Sequence, residues 1–186
     1  MQGEGMRKTA AGLIFLTTLV SADDLPTDIR MPDIVLDAIK HCECLKENGE
    51  CNPNVIRINA VEEAQRAAAA GFAVEGHLIR CGSSQECSVQ AQALIEGGIV
   101  NLDLGPYQIN YKYHPNPMLH EYFEESTARE QANAILTKLV KSFGYSWETL
   151  GRYHHFSAVD RTRNERYYRK MYAFIYGDNA KAQGSE

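Results

Sequence analysis

DIVLDAIKHCEC, residues 33–44, is an apolar helix pattern that runs directly into a glutamate and two cysteines. Pro32 can occupy the first turn of such a helix, where its missing N–H costs nothing. Ile34, Val35, Ala38, Ile39 and Cys42 recur at the spacing of one amphipathic face. At about 100° per residue, Glu43 falls just past the edge of that stripe and Cys44 nearly opposite it. Glu43 is therefore expected at the border between core and cleft. A carboxyl group half-wrapped in apolar surface has its charged form disfavoured, so its pKa is expected to rise.

Working outward, the rest of the chain also reads mainly as helix. NPNVIRIN (52–59) is a turn followed by a short extended piece, and Asn59 with Glu62 opens an alanine-rich helix that fades at Gly71. A further helix covers about residues 88–96 and stops at Gly97-Gly98. Thr127 and Glu130 form a capping-box pattern ahead of a long helix. Its stripe is Ala128, Ala132, Ile135, Leu136, Leu139, Val140 and Phe143, and Gly144 ends it. Ser146 caps a short helix through Trp147 and Leu150. Asp160 caps the last one, with Tyr167, Tyr168, Met171, Tyr172 and Ile175 facing inward. The expected fold is mainly α, with at most a very small β element.

At 186 residues and 44% hydrophobic content, one domain with a full core is expected. A net charge of −5 with scattered basic residues argues against nucleic acid as a partner. The N-terminus has the order of an export signal: Arg7 and Lys8, the apolar run AAGLIFLTTLV, then small residues at Val20-Ser21-Ala22. Met6 serves equally well as the start. The expected division is a signal peptide over residues 1–22, one domain over 23–176, and a polar tail over 177–186.

Export makes disulfides the expected state of the five cysteines. CGSSQEC suggests Cys81–Cys87 as the simplest pairing. Cys44–Cys51, around LKENGE, is the second choice, which leaves Cys42 odd. His41, Cys42, Cys44 and Cys51 also suggest zinc, but their spacing matches no common zinc site.

Three stretches carry candidate chemistry: Glu43 at its helix end, the GPYQIN turn (105–110) and GRYHH (151–155). Singly, each has an ordinary explanation as surface carboxylate, self-bonded turn or core aromatic. In this order they resemble the catalytic domain of soluble lytic transglycosylases, relatives of goose-type lysozyme. AIKHCEC corresponds to that family's apolar helix ending in Glu-Ser, with Cys44 in place of the serine and LKENGEC as an insertion. NPNVIRIN fits its Asn-Pro…Ile-Asn stretch, and Asp103, Gly105, Gln108, Ile109 and Asn110 fit its Asp-Gly-Gln-Ile-Asn turn, with Tyr107 before the glutamine. GRYHHFSAVDRTRNERYYRKM follows its Tyr-His/Asn helix plan. The resemblance spans about residues 33–176.

The resemblance implies a lysozyme-like helical domain that cleaves the β-1,4 bond between N-acetylmuramic acid and N-acetylglucosamine in peptidoglycan. Glu43 would be the single acid and then base, closing a 1,6-anhydro ring with no metal or organic cofactor. Glu75, Glu86 and Glu96 are rival acids, but none ends an apolar helix with the matching sequel. Gln108 and Asn110 would address the sugars' acetamido and hydroxyl groups, and Gly105 would let the backbone approach the glycan. Tyr153 would hydrogen-bond Glu43, and Tyr107, Tyr111 and Tyr113 would supply aromatic faces or core packing. Asp103 is expected to bond within its turn; if it reached the cleft, it would make the enzyme a hydrolytic lysozyme. The implied setting is the bacterial periplasm, with peptidoglycan strands as the partner and, by analogy, a secretion or conjugation apparatus nearby. A non-catalytic glycan-binding or scaffold protein on the same fold is the alternative from another class.

Overall fold

The computed structural model describes residues 30–47, 49–155 and 161–177, with the side chains of residues 47 and 161 excepted. The expected signal peptide, the expected Asp160 cap and residues 178–186 of the expected tail lie outside the described residues. The chain is mainly α with a small β element. Its helices are α1 (Asp33–Glu43), α2 (Val61–Ala69), α3 (Ser84–Glu96), α4 (Glu125–Phe143), α5 (Trp147–Gly151) and α6 (Arg161–Tyr176). A 3-10 turn spans Leu119–Tyr122.

α1 begins directly after Pro32, whose carbonyl accepts from Val35 N–H at 2.9 Å. Its buried residues are Val35, Leu36, Ala38 and Ile39, whereas Ile34 is 46% exposed. Replacing Ile34 by Leu36 in the buried set rotates the apolar stripe by roughly half a quadrant. The consequence reaches the candidate acid. Glu43 lies four residues beyond Ile39 and seven beyond Leu36, so the corrected stripe runs through it rather than beside it. α6 packs on α1, with Tyr167 and Met171 buried in the common core. Tyr172, expected inward on α6, is instead partly exposed, where its ring meets Trp147 edge-on.

Four short strands form an antiparallel sheet in the order β4-β3-β5-β6, with β3 at Val55–Ile58, β4 at Leu78–Arg80, β5 at Leu102–Leu104 and β6 at Ile109–Asn110. Two-residue strands β1 (Lys46–Glu47) and β2 (Glu50–Cys51) pair separately as a hairpin. Registers Ile56↔Ile79, Ile56↔Leu104 and Leu104↔Ile109 place an apolar row against the core. Because side chains alternate along a strand, the same registers create an opposite row of Leu78, Arg57, Asp103 and Asn110. That row is the sheet's contribution to the site.

Capping follows the sequence in part. Ser146 accepts from Thr149 N–H at 3.1 Å and starts α5, and Gly144 ends α4 at φ +76°. α3 starts earlier than its apolar pattern suggests, because Ser83 caps it by accepting from Glu86 N–H. Ala60 rather than Asn59 precedes α2, and Glu124 rather than Thr127 precedes α4. The Thr127 hydroxyl donates to the Glu121 carbonyl at 2.7 Å instead. Within α4's expected stripe, Phe143 is 46% exposed and lies beneath the Arg152 guanidinium.

Both expected disulfides are present. Cys44–Cys51 ties the end of α1 to β2, and Cys81–Cys87 ties the end of β4 to the first turn of α3. With Cys44 and Cys51 joined to each other, neither is a thiolate that could ligate zinc. Cys42 is the free cysteine, half-buried, its thiol pushed up to about 11 by burial and the Glu43 charge. Among the described residues no helix is long and apolar enough to cross a membrane. The disulfides suit an oxidising compartment.

Candidate active site

Glu43 closes α1, and its side chain keeps only 11% exposure. Two features put it there: the rotated apolar stripe, and the turn of the chain into an extended conformation at Cys44, which the Cys44–Cys51 bridge holds. Its hydrogen-bond partner is His154, whose Nδ1 lies 3.1 Å from Glu43 Oε1. The His154 ring stacks flat on Tyr167, centroids 4.7 Å apart and planes 5° apart.

Tyr153 takes a different partner from the expected one. Its hydroxyl donates to the Tyr107 carbonyl at 3.0 Å, fastening the β5–β6 turn to the segment after α5. Enclosure first, and then the Glu43 charge, hold its phenol well above the ordinary value. Tyr167 behaves alike: burial comes first and the Glu43 charge second. Its hydroxyl has no hydrogen bond of acceptable geometry among the described residues. Glu43 thus bonds one imidazole, and its charge acts on two enclosed phenols.

Asp103 projects from the outward row of the sheet, not into a turn. It accepts from Asn110 Nδ2 at 2.7 Å. Burial pushes its carboxyl up; the amides of Asn110 and Asn59 oppose that, while Glu43 reinforces it and Arg57 opposes it. Asp103, Arg57 and Glu43 therefore share one electrostatic environment, and both Asp103 and Arg57 also act on His154. Beside this row a groove lined by Arg57, Asn59, Glu75, His77 and Leu78 continues along β3 and β4.

The turn residues are placed as follows. Gly105 has φ +69°, and a Cβ there would lie 1.7 Å from the Tyr122 carbonyl oxygen. Its close backbone approach is thus to the 3-10 turn of its own chain. Gln108, at φ +46° and 9% exposed, donates from Nε2 to the Gly105 carbonyl at 2.9 Å and braces the turn. Asn110 spends Nδ2 on Asp103 and on Asn101 Oδ1 at 2.9 Å. Arg57 Nε, Gln108 Oε1 and Asn110 Oδ1 are enclosed without a protein partner among the described residues. Such buried polar atoms are ordinarily satisfied by solvent or ligand.

Tyr107 belongs to the core. It is fully buried, its hydroxyl accepts from Arg129 at 3.1 Å, and burial pushes the phenol up to about 12. Arg129 also bonds Asp33 and Asp37, so Tyr107 helps join α4 to α1. Tyr111 packs edge-on against Tyr122, while Tyr113 is 68% exposed beneath Lys112. The rival acids are engaged elsewhere. Glu75 pairs with Arg80, Glu86 accepts from Gly82 N–H, and Glu96 accepts from Gln92.

Sequence reasoning passed over His154 and set Asp103 aside. For Asp103 the signal was present in the LDL alternation, which sends the central residue to the face opposite the two leucines. For His154 the Tyr-His segment was a signal, but its partner lies 111 residues away, so no local pattern named the pairing. Comparison with known proteins finds no matching family, no matching curated protein and no matching solved structure.

Proposed function

We propose that this protein is an exported peptidoglycan lytic transglycosylase, with Glu43 as its general acid and then base. The single observation that carries the reading is a carboxyl group, 11% exposed at a helix end, hydrogen-bonded to His154 and acting by its charge on Asp103 of the polar sheet row. Cleaving a glycosidic bond needs a carboxyl that delivers its proton to the leaving oxygen inside a partly dry site. Proton delivery by Glu43 would break the C1–O bond between the two amino sugars. The carboxylate so formed would take the proton of the C6 hydroxyl while O6 bonds to C1, and no water is consumed.

The order of the motifs around Glu43, NPNVIRIN, the Gln-Ile-Asn turn and the Tyr-His segment supports this reaction class. The same reading puts the protein in a bacterial periplasm, acting on glycan strands beside an envelope secretion or conjugation apparatus. The test is product analysis after incubation of purified sacculi with wild type and Glu43→Gln. Anhydro-muropeptides released by wild type, with turnover lowered about 10²–10⁴-fold in the variant, are the expected result. Equal release by both proteins would refute the assignment.

Asp103 supports a second reading. Its carboxyl group feels the Glu43 charge and could serve as a base for water, and products with reducing ends would then mark a hydrolytic lysozyme. Glycan binding without any turnover would instead favour a non-catalytic binding protein on this fold.

A further inference from the structure

A carboxyl that acts as an acid must begin with a proton, and the groups around Glu43 differ in whether they can supply one. Arg57, on β3, presents a guanidinium, a hydrogen-bond donor group that does not serve as a proton source. The Tyr153 and Tyr167 phenols are enclosed and hold their protons well above their ordinary range. Asp103, on β5, accepts from Asn110. Cys42, on α1, keeps its thiol proton up to about 11. His154 remains. Its Nδ1 is 3.1 Å from Glu43 Oε1, its side chain is 43% exposed, and its ring is held flat against Tyr167 of α6. A histidine so placed exchanges protons with solvent on one edge and with the carboxyl on the other.

Resting on the general-acid reading of Glu43, we propose that His154 is a positioning residue and proton reservoir for that carboxyl. The pair holds one proton. While water has access, the imidazolium keeps it and Nδ1–H donates to Oε1. When a glycan covers the site and raises the cost of separated charge, the proton moves to Oε1, giving neutral imidazole and a carboxylic acid. Oε1–H then protonates the glycosidic oxygen as the C1–O bond breaks. The proton taken from the C6 hydroxyl returns to Oε1 and then to Nδ1, so the pair ends each cycle as it began. The hydrogen bond that His154 donates to Glu43 raises the His154 pKa, which burial and Arg57 oppose and Asp103 reinforces.

Two measurements on the full chain test this. NMR titration of labelled histidines in wild type and Glu43→Gln needs no substrate. The expected result is a His154 midpoint above the ordinary 6.5 that falls in the variant; equal midpoints would overturn the proposal. The second is the pH profile of turnover on sacculi for wild type, His154→Asn and His154→Ala. Asparagine keeps a donor near the Nδ1 position but cannot release a proton. His154→Asn is expected to keep the rate near about pH 5 within about threefold and to lose the alkaline part of the profile, while His154→Ala falls by about tenfold or more throughout. An alkaline limb that stays put in both variants would overturn the reservoir role. Wild type with coupled titration but no turnover would overturn the enzymatic reading and the reservoir with it, leaving only the ion pair.

Discussion

Replacing Gly105 by alanine separates two roles that one glycine can have, freeing a surface for a ligand or letting two parts of the same chain touch. The added Cβ would lie 1.7 Å from the Tyr122 carbonyl oxygen, and that separation must open to at least 3.0 Å. The neighbour is backbone and cannot swing aside as a flexible side chain would. Tyr122 itself is fully buried and edge-packed on Tyr111, so its displacement spreads into the core. The left-handed conformation at φ +69° costs about 1–2 kcal/mol for a residue with a Cβ. Overpacking adds about 1–3 kcal/mol, for a total of about 2–5 kcal/mol. In a chain of this length that is a fall in Tm on the order of 10 °C.

Gly98→Ala is the control, since φ is +75° there but nothing lies within 4 Å of the added carbon. It should cost only the conformational part, about 1–2 kcal/mol. Thermal and urea unfolding followed by circular dichroism measures both. Equal losses in the two variants would refute the steric reasoning and return Gly105 to the role of a ligand-facing glycine.

Reducing Cys44–Cys51, or replacing both by serine, should cost about 2–3 kcal/mol from the seven-residue separation, read as a lower urea midpoint. Tyr153→Phe strands the enclosed Tyr107 carbonyl and should cost about 1–3 kcal/mol while leaving the Glu43–His154 titration intact; loss of that coupling would show that Tyr153 orients Glu43 after all. The Glu43 hydrogen bond raises the folded pKa of His154 above its unfolded value. Its stabilisation is therefore present below about pH 6.5 and lost as pH rises through the folded pKa. The stability gap between wild type and His154→Ala should accordingly be wider near about pH 6 than near about pH 9, and a gap constant with pH would contradict the pairing.

Much of the architecture could be read from local pattern. Helix periodicity located α1 and the core of α4, Ser146 and Gly144 marked real helix boundaries, and short loops limited the cysteine pairings. The misreadings were also local in kind. Ile34 and Leu36 are both strongly apolar, so the sequence does not say which of them is buried, and that choice decided whether Glu43 lay beside the core or within its edge. Gly105 was legible as a special backbone position, but the Tyr122 carbonyl that requires it was not.

From the sequence alone came most of the helices and the two disulfides, because periodicity, spacing and loop length act over a few residues, and motif order made Glu43 the acid to watch. Tertiary structure alone decided what surrounds that acid. His154 is 111 residues from Glu43, and the Tyr153 hydroxyl reaches a carbonyl 46 residues away. Contacts at that range depend on how α1, α6 and the sheet pack, and no local pattern encodes a packing angle.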